Sequence, residues 1–265
     1  MARTVASGVA GTLVVRSMVT SCGVPRPSTG PVPSLPPGPG ARAAGARLAG
    51  RTGLHDARSM RSGSDDEAPG AGRWVPEGAG VDALRSAATR CRGCELWRPA
   101  TQVVFSRGPQ DARVVLVGEQ PGDHEDREGE PFVGPAGRLL SEALQEAGLD
   151  EGAVYLTNAV KHFRFEERGR RRLHKAPAVA HVRACAPWLA AELGAVQPEV
   201  VVALGATAAR AVLGRPVSVT AERGRLLDGH VLVTTHPSAV VRLRGRPGFD
   251  DAFTALVADL RRVPR

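Results

Sequence analysis

The sequence has few of the features that mark membrane, secreted or disulfide-stabilised proteins. No stretch approaches the ~18 consecutive apolar residues of a membrane-spanning helix, so no contact with a membrane is predicted. Three of the four cysteines lie after Met60, and an odd number does not suit a set of disulfides. We therefore expect a protein of the reducing cytoplasm. Lysine is also scarce beside arginine, which indicates biased genome composition and no particular function.

Large apolar residues are rare in the first quarter of the chain. Residues 1–59 are rich in Pro, Gly, Ala and Ser and carry seven arginines against one aspartate. Such a segment buries too little apolar surface to offset the entropy lost on folding. We therefore predict a disordered leader over residues 1–75, with Met60 as an alternative start of translation, and one folded domain over residues 76–265. Arg16 interrupts the short apolar run near the N-terminus, which argues against a secretion signal.

Most of the net positive charge lies in this leader. Residues 1–59 contribute six of the eight net charges, whereas residues 60–265 hold 28 basic and 26 acidic side chains. A high overall isoelectric point is therefore poor evidence for nucleic-acid binding, which must be argued from local clusters. One such cluster is residues 161–175, with seven basic and two acidic side chains.

Apolar β-branched segments alternate with amphipathic segments in the folded part. Four segments are typical of buried strands: residues 112–118, 153–160, 198–205 and 230–238. Helical spacing is found around them, at residues 81–91, 136–149, 178–196, 206–214 and 249–263. This alternation predicts an α/β fold with three layers, α/β/α, around a central, mainly parallel four-stranded sheet.

A motif with polar or small residues lies at the carboxyl end of each predicted strand. These motifs are GEQPGDHED (118–126), TNAVKH (157–162), LGATAA (204–209) and THPS (235–238). Ligands of open α/β sheets bind beyond the carboxyl ends of the strands, where these motifs would meet. The sequence therefore predicts a binding or catalytic site at this edge of the sheet.

Three residues in these motifs have side chains suited to chemistry on a nucleobase. Glu119 would point a carboxylate into the crevice, and His236 could stabilise negative charge on a leaving group. Asn158 offers a donor and an acceptor that complement the O4 and N3–H groups of uracil. Each has an ordinary alternative: an exposed cap for Glu119 and Asn158, and a structural histidine for His236.

Three cysteines and one histidine form a candidate metal site. Cys91 and Cys94 make a two-ligand clip, Cys185 supplies a third sulfur, and His162 is the candidate fourth ligand because it ends the TNAVKH segment. Zinc and an iron–sulfur cluster both suit such a ligand set. Three buried, reduced cysteines without a metal are the alternative.

The motifs taken together resemble a known family. The pattern GEQPGD…PFVGPAG…TNAVK…HPS, over roughly residues 85–260, resembles the iron–sulfur family-four enzymes of the uracil-DNA glycosylase superfamily. Gln120, His162 and the arginine-rich loop that ends in His174 and Lys175 depart from the usual family-four pattern. All three departures are similar to UdgX-type proteins, a subgroup that excises uracil and then stays covalently joined to the DNA through the loop histidine.

The resemblance implies a cofactor and a substrate. A [4Fe-4S] cluster would be held by the four candidate ligands, Cys91, Cys94, His162 and Cys185. The substrate would be uracil-containing DNA, preferentially single-stranded or with the uracil flipped out, bound by a monomer. Extruding a base from a duplex costs a few kcal/mol, so a single strand is the least demanding substrate.

Roles for the pocket residues follow from the same resemblance. Phe132 would stack on the flipped base and Asn158 would read its edge. Backbone N–H groups of the 119–123 loop and His236 would stabilise the uracil anion as it leaves. Further contacts beside the substrate are expected from Gln120, Asp123 and Ser238, with Gln120 and Asp123 also holding the loop in shape.

His174 is the residue on which the implied function depends. In this resemblance an imidazole nitrogen takes the place of the attacking water and bonds to C1′ of the sugar, while Glu119 accepts or orients its other proton. One alternative is an ordinary, turning-over glycosylase in which His174 only contacts phosphate. Another is a nucleic-acid-binding module without catalysis. Contacts to DNA phosphates are expected from Arg170, Arg171, Arg172, Lys175 and Arg242.

Overall fold

The computed structural model describes residues 69–264, so most of the predicted leader, residues 1–68, lies outside the described residues. Residues 69–75, which the sequence analysis placed in the leader, are packed against the domain. Ala71 is buried, and its backbone N–H donates to the carbonyl oxygen of Ala184 at 2.7 Å. The described fold therefore begins before residue 76.

A six-stranded sheet lies at the centre of the fold. Its strands are β1 (Ser106–Arg107), β2 (Val114–Gly118), β3 (Val154–Asn158), β6 (Val200–Leu204), β7 (Leu226–Leu227) and β8 (Val231–Thr234). Two further strands, β4 (Phe165–Arg168) and β5 (Arg171–His174), form a separate hairpin. The α-helices are α1 (Val81–Ala88), α2 (Asp123–Glu128), α3 (Pro135–Ala147), α4 (Val179–Val196), α5 (Ala206–Leu213), α6 (Val219–Glu222), α7 (Pro237–Val241) and α8 (Phe249–Leu260).

The four predicted strands are confirmed as the parallel core of the sheet. Along the sheet the order is β1-β3-β2-β6-β8-β7, with β3, β2, β6 and β8 parallel and the two short edge strands antiparallel to their neighbours. The edge strands raise the number of strands from the predicted four to six. Strands β2 and β3 end level with each other because Gly118 pairs with Asn158. The loops that follow them therefore start side by side.

Helices cover both faces of the sheet, as the predicted three layers require. Val115 and Val117 of β2 pack on the side of α1, α4 and α5, whereas Leu116 between them packs on the side of α3, α7 and α8. All three side chains are fully buried. This is expected for parallel strands that are covered on both faces.

The longest helix, α4, carries Cys185 and continues through Pro187 to Val196. Pro187 lies inside this helix, which is not interrupted there. Between residues 69 and 264, no helix has the length and hydropathy that crossing a bilayer requires.

The basic segment is a β-hairpin, which the sequence analysis treated as a loop. Phe165 pairs with His174 and Arg168 with Arg171 in antiparallel register, and Gly169 adopts φ +60° in the turn. Most of its side chains are charged and exposed, so the apolar alternation that marks a strand is missing. His174 is the last residue of β5 and lies near the base of the hairpin.

Candidate active site

A cleft of about 670 Å³ opens at the carboxyl ends of the four parallel strands. Its walls come from the loop after β2, the ends of β3 and β6, the start of α7 and the hairpin. The cleft brings together nine of the residues singled out from the sequence: Glu119, Gln120, Asp123, Phe132, Asn158, His174, His236, Ser238 and Arg242.

The floor of the cleft is formed by Asn158 and Phe132 over Gly118. A Cβ atom on Gly118 would lie 2.3 Å from Oδ1 of Asn158 and 2.7 Å from Cζ of Phe132, so only glycine fits there. Phe132 itself adopts φ +60°, a conformation that costs free energy for a non-glycine residue and is often found at binding sites. A Cβ atom on Gly137 would lie 1.8 Å from the Phe132 carbonyl oxygen, so this glycine also permits the arrangement.

Asn158 has only 3% of its surface exposed and lines the cleft, and its carboxamide makes no hydrogen bond to any residue of the range 69–264. Buried polar side chains in folded proteins nearly always have a partner. The donor and acceptor of this amide are therefore free for a ligand in the cleft.

Glu119 connects the two sides of the cleft. Its Oε2 accepts a hydrogen bond from the Thr207 hydroxyl at 2.6 Å, and its Oε1 lies 3.6 Å from Nε2 of His174. The second distance is too long for a hydrogen bond in the absence of substrate, although such contacts often tighten when substrate binds. Thr207 was not predicted as a site residue, although it lies in the LGATAA motif.

Gln120 binds the protein's own hairpin. Its carboxamide accepts from the Arg164 N–H at 3.2 Å and donates to the carbonyl oxygens of Arg164 at 3.1 Å and Lys175 at 3.2 Å. Its Nε2 also lies 3.0 Å from Nε2 of His174. The side chain expected beside the substrate therefore holds together the two ends of the hairpin that carries His174.

Arg172, predicted to contact a DNA phosphate, is ion-paired with two carboxylates of the protein. Its guanidinium donates to Asp123 at 2.5 Å and to the fully buried Asp126 at 2.6 Å, and its side chain is 14% exposed. It also lies over the ring of Phe165, 5.0 Å from the centroid. These contacts fix β5 to the start of α2, because charged groups buried this deeply must be paired.

The same ion pair affects Asp123. Partial burial raises the pKa of its carboxyl group, but hydrogen bonds from Arg127 and Arg172 outweigh burial and hold the pKa below its usual range. Asp123 is therefore ionised at neutral pH and is occupied by two arginines. It faces the cleft at the point where the hairpin is attached.

The other predicted phosphate contacts lie on the surface. Arg170 and Arg171 are exposed at the end of the hairpin and have no carboxylate partner in the part of the chain that the structure describes. Lys175 is exposed and lies 3.3 Å from Glu166. Arg242 lines the cleft beside α7.

His236 is held at the start of α7 in a defined protonation state. Its Nδ1 accepts a hydrogen bond from the Ser238 backbone N–H at 3.1 Å and lies 2.9 Å from the Ser238 hydroxyl. Because a backbone N–H can only donate, Nδ1 is unprotonated and the proton of the neutral ring is on Nε2. Burial lowers the pKa of His236 to about 4, with His174 and Arg242 adding to the shift. The ring is therefore a neutral donor at physiological pH.

Glu125 is a further residue that the sequence analysis missed. Its carboxylate accepts from the backbone N–H of Gly122 at 3.0 Å and of Gly134 at 2.9 Å. It thereby links the loop after β2 to the segment that follows Phe132. The acidic residues of GEQPGDHED look alike in sequence, so only the structure distinguishes the buried Glu125 and Asp126 from the partly exposed Glu119 and Asp123.

The four candidate metal ligands line one small pocket. Cys91, Cys94, Cys185 and His162 all line it, and the three cysteines are buried free thiols. Burial raises the pKa of Cys94 to about 11 and of Cys185 to about 12, and lowers that of His162 to about 4. A neutral imidazole and thiols with no disulfide partner are a donor set suited to zinc or to iron–sulfur chemistry.

Within residues 69–264, no group of three or more His, Cys, Asp or Glu side chains is arranged to hold a metal ion. The four donors therefore suit zinc or an iron–sulfur cluster by chemical type only.

A buried ion pair joins this region to the sheet. Lys161 and Glu192 are both almost completely buried and contact each other, and Glu192 also accepts from the hydroxyl groups of Tyr155 and Thr157. The backbone N–H of Lys161 donates to Sγ of Cys185 at 3.4 Å. The pair, which the sequence analysis missed, connects the end of β3 to α4 beside the cysteines.

The parallel sheet and the polar cleft at its strand ends define an α/β protein with a ligand site at the carboxyl edge. Residues 105–261 match the family model described as the uracil DNA glycosylase superfamily. The chain belongs to this superfamily, and the membership supports uracil-DNA glycosylase activity.

Individual relatives agree with this family. The chain is 40% identical over 160 residues to a type-4 uracil-DNA glycosylase of Thermotoga maritima, covering 58% of this chain and 80% of the relative. It is 35% identical over 169 residues to a type-4 enzyme of Pyrobaculum aerophilum, covering 58% and 83%. A type-5 uracil-DNA glycosylase of Pyrobaculum aerophilum is 34% identical over 182 residues, covering 61% and 77%.

Proposed function

We propose that this protein excises uracil from DNA and is then covalently joined to the resulting sugar through His174. The observation that carries the proposal is the position of Glu119, which is bonded to Thr207 on one side and lies 3.6 Å from His174 on the other. A carboxylate and an imidazole thus face one cleft, with the unpartnered amide of Asn158 at its floor.

Base recognition would use the strand-end residues. A uracil flipped into the cleft would stack on Phe132, and the Asn158 amide would pair with its O4 and N3–H groups. The Nε2–H group of His236 would donate to the negative charge that develops on the departing base. Single-stranded DNA would be the favoured substrate, because its bases need not be extruded from a duplex.

The covalent step exchanges one bond at C1′ for another. The bond between C1′ and N1 of uracil breaks, and its electron pair leaves with the base, which then takes a proton from solvent. A lone pair on one imidazole nitrogen of His174 forms the new bond to C1′. The other nitrogen gives its proton to Glu119 or to solvent, so the alkylated ring ends neutral. His174 is 50% exposed, which leaves it accessible to a DNA strand.

Conventional turnover is the second candidate. The similarity to type-4 uracil-DNA glycosylases favours it, and so does the exposure of His174, which leaves room for water. In that case Glu119 would orient a water molecule toward C1′, and His174 would contact phosphate.

A denaturing gel with a uracil-containing single-stranded oligonucleotide separates the two candidates. The covalent proposal expects a wild-type adduct that survives boiling in detergent, with one protein per uracil. His174→Ser removes the nucleophile and makes room for water, so it should release uracil with turnover and leave an abasic site. A boiling-resistant adduct in His174→Ser would show that another residue reacts, and no adduct in the wild type would establish conventional turnover.

We further propose that Cys91, Cys94, Cys185 and His162 hold a [4Fe-4S] cluster. The cluster would supply structural cross-linking between the residue 91–94 loop and α4. Purified protein should then be brown, with broad absorbance near ~400 nm and stoichiometric iron. His162→Cys should retain the iron, because thiolate is a ligand for such clusters. Colourless protein with stoichiometric zinc would contradict the proposal.

A further inference from the structure

A second groove of about 140 Å³ lies beside the cleft and shares Ala206 and Thr207 with it. The side groove, as we call it, begins where the wall of the cleft ends, near Pro177 and the start of α5. Its remaining walls are formed by five apolar residues and one arginine: Pro177, Val179, Val182, Pro216, Val217 and Arg210.

Arg210 is the charged residue of the side groove. It follows Thr207 by one turn of α5 and is half-buried. Its guanidinium makes no hydrogen bond or ion pair to any residue in the described range 69–264. Nearby Arg215, by contrast, is paired with Glu222 at 2.6 Å. A half-buried cation without a partner is suited to an anionic ligand group.

The walls also fit the rest of such a ligand. Val179, Val182 and Val217 give apolar surface, and Val179 is 41% exposed although it is a large hydrophobic side chain. A nucleotide combines one negative charge with a flat base and a sugar that pack against apolar surface. Because the groove adjoins the cleft at Ala206 and Thr207, it is within reach of a DNA strand whose uracil occupies the cleft.

We infer that the side groove binds the nucleotide next to the uracil on the same DNA strand, with its phosphate on Arg210 and its base or sugar against the valines. This inference rests on the proposed function, because it takes the cleft as the uracil site. It adds a second subsite that grips the strand beside the reacting nucleotide. The groove thereby contributes affinity for single-stranded DNA and a preference among flanking bases.

The test measures binding without requiring excision. The probe is a single-stranded oligonucleotide with one 2′-fluoro-2′-deoxyuridine, whose glycosidic bond resists cleavage. Arg210→Gln should weaken binding by about tenfold, as loss of one charge-assisted hydrogen bond predicts. It should also lower the salt dependence by about 0.7 in slope. Arg183→Gln is the matched control, because Arg183 is exposed on α4 and does not line the groove.

Neutral linkages identify the phosphate. A methylphosphonate is placed at one linkage at a time on either side of the uracil analogue. At one position the wild type should lose about tenfold in affinity, whereas Arg210→Gln should lose nothing further, because the same contact has already been removed. The inference would be overturned if Arg210→Gln bound with wild-type affinity. It would also be overturned if, at every linkage, the losses from the methylphosphonate and from Arg210→Gln were additive.

A second variant tests the apolar wall. Val179→Ser should weaken binding a few-fold when the flanking nucleotide carries a base, and should have no effect when that nucleotide is abasic. Equal losses with both probes would show that the base does not contact the groove. Failure of the proposed function would look different: the wild type would then neither bind the uracil analogue better than a matched thymine oligonucleotide nor release uracil.

Discussion

The two sides of the cleft are built in different ways. Glu119, Asn158 and His236 lie at or just after the ends of strands of the central sheet that are buried on both faces. His174 instead lies on an exposed two-stranded hairpin, which is attached through Gln120, through Arg172, and through the stacked rings of Phe163 and Phe165. One side is positioned by the hydrophobic core and the other by a few polar and aromatic contacts.

Because of this difference, base recognition and the covalent step can be separated experimentally. An isolated two-stranded hairpin is marginally stable in water, so its geometry depends on what anchors it. The strand-end residues need no such anchors, because their backbone is fixed by the sheet. We therefore expect base recognition to survive changes that displace the hairpin, whereas the covalent step should not.

Glu119→Gln should have the largest effect, because Glu119 contacts both sides of the cleft. The substitution keeps the shape and removes the negative charge. Uracil release and adduct formation should both fall by about 10²–10³-fold, the range expected for loss of one preorganised electrostatic group. Single-turnover kinetics on a single-stranded substrate measure both rates. If only adduct formation fell, Glu119 would act in the covalent step with His174 and not in uracil release.

Arg172→Met combined with Asp126→Asn should separate the two sides. Both changes are needed because removing one partner of a buried ion pair leaves an unpaired charge. Adduct formation should fall by about tenfold or more, because β5 loses its attachment to α2. The effect on uracil release is measured in the His174→Ser background, where release with turnover is expected. Adding Arg172→Met and Asp126→Asn to His174→Ser should change the rate of uracil release by less than about threefold.

The matched control for this experiment is Arg171→Met, at the exposed end of the hairpin. It should leave the adduct rate at saturating DNA unchanged and lower the salt dependence of binding by about 0.7 in slope. Equal losses of release and adduct formation in the Arg172 and Asp126 variants would show that the hairpin also supports base recognition.

Thr207→Val should have a smaller effect, on the strand-end side. The substitution removes the hydroxyl that donates to Oε2 of Glu119 while keeping the size of the side chain. Uracil release should slow by about tenfold at saturating DNA with unchanged binding, as loss of one hydrogen bond to a charged group predicts. Thr207→Ser, which retains the hydroxyl, should recover most of the rate. If Thr207→Ser did not restore the rate of uracil release, Thr207 would act through packing and not through its hydrogen bond to Glu119.

Protonation of His236 should have the smallest effect on activity of the changes considered, but a measurable effect on the free energy of unfolding. Burial lowers its pKa to about 4 in the folded protein, against 6.5 for an ordinary histidine. As the pH falls from about 6.5 to about 4, the unfolded chain therefore binds a proton that the folded protein does not. The free energy of unfolding should fall by roughly 2 kcal/mol across this window.

Two measurements check this expectation. An NMR titration of the His236 ring, assigned with His236→Gln, should give a midpoint near 4. Denaturant unfolding at pH 7.5 and 4.5 should show a smaller drop in stability for His236→Gln than for the wild type. A midpoint near 6.5 would mean that the ring is solvated, and the neutral-donor role would be lost.

The sequence predicted the parallel core well because buried strands and amphipathic helices have strong patterns. Edge strands β1 and β7 have two residues each and no period to detect. The hairpin was missed because charged side chains obscure its alternation. Glu119, Asn158 and His236 could be singled out because each lies at or just after the carboxyl end of a predicted strand, and strand ends converge in such folds.

The contacts between motifs could not be predicted in the same way. Nothing in the run of arginines distinguishes Arg172, which faces inward, from Arg171, which faces solvent; the difference arises from the pairing of β4 with β5. Glu192 and Lys161 are 31 residues apart, and their pairing follows from the packing of α4 on the sheet. Thr207 has no signature apart from its place at the start of α5.

The hairpin enters and leaves the domain at one point, because the Lys175 N–H donates to the Arg164 carbonyl oxygen at 3.1 Å. In evolutionary terms, segment 165–174 is a separable insertion. Because its two ends are already adjacent, the chain can gain or lose it without a change in the path of the sheet strands. Under the covalent mechanism, the residue that makes a repair catalyst into a single-use trap for damaged DNA would then be carried by one short, separable segment.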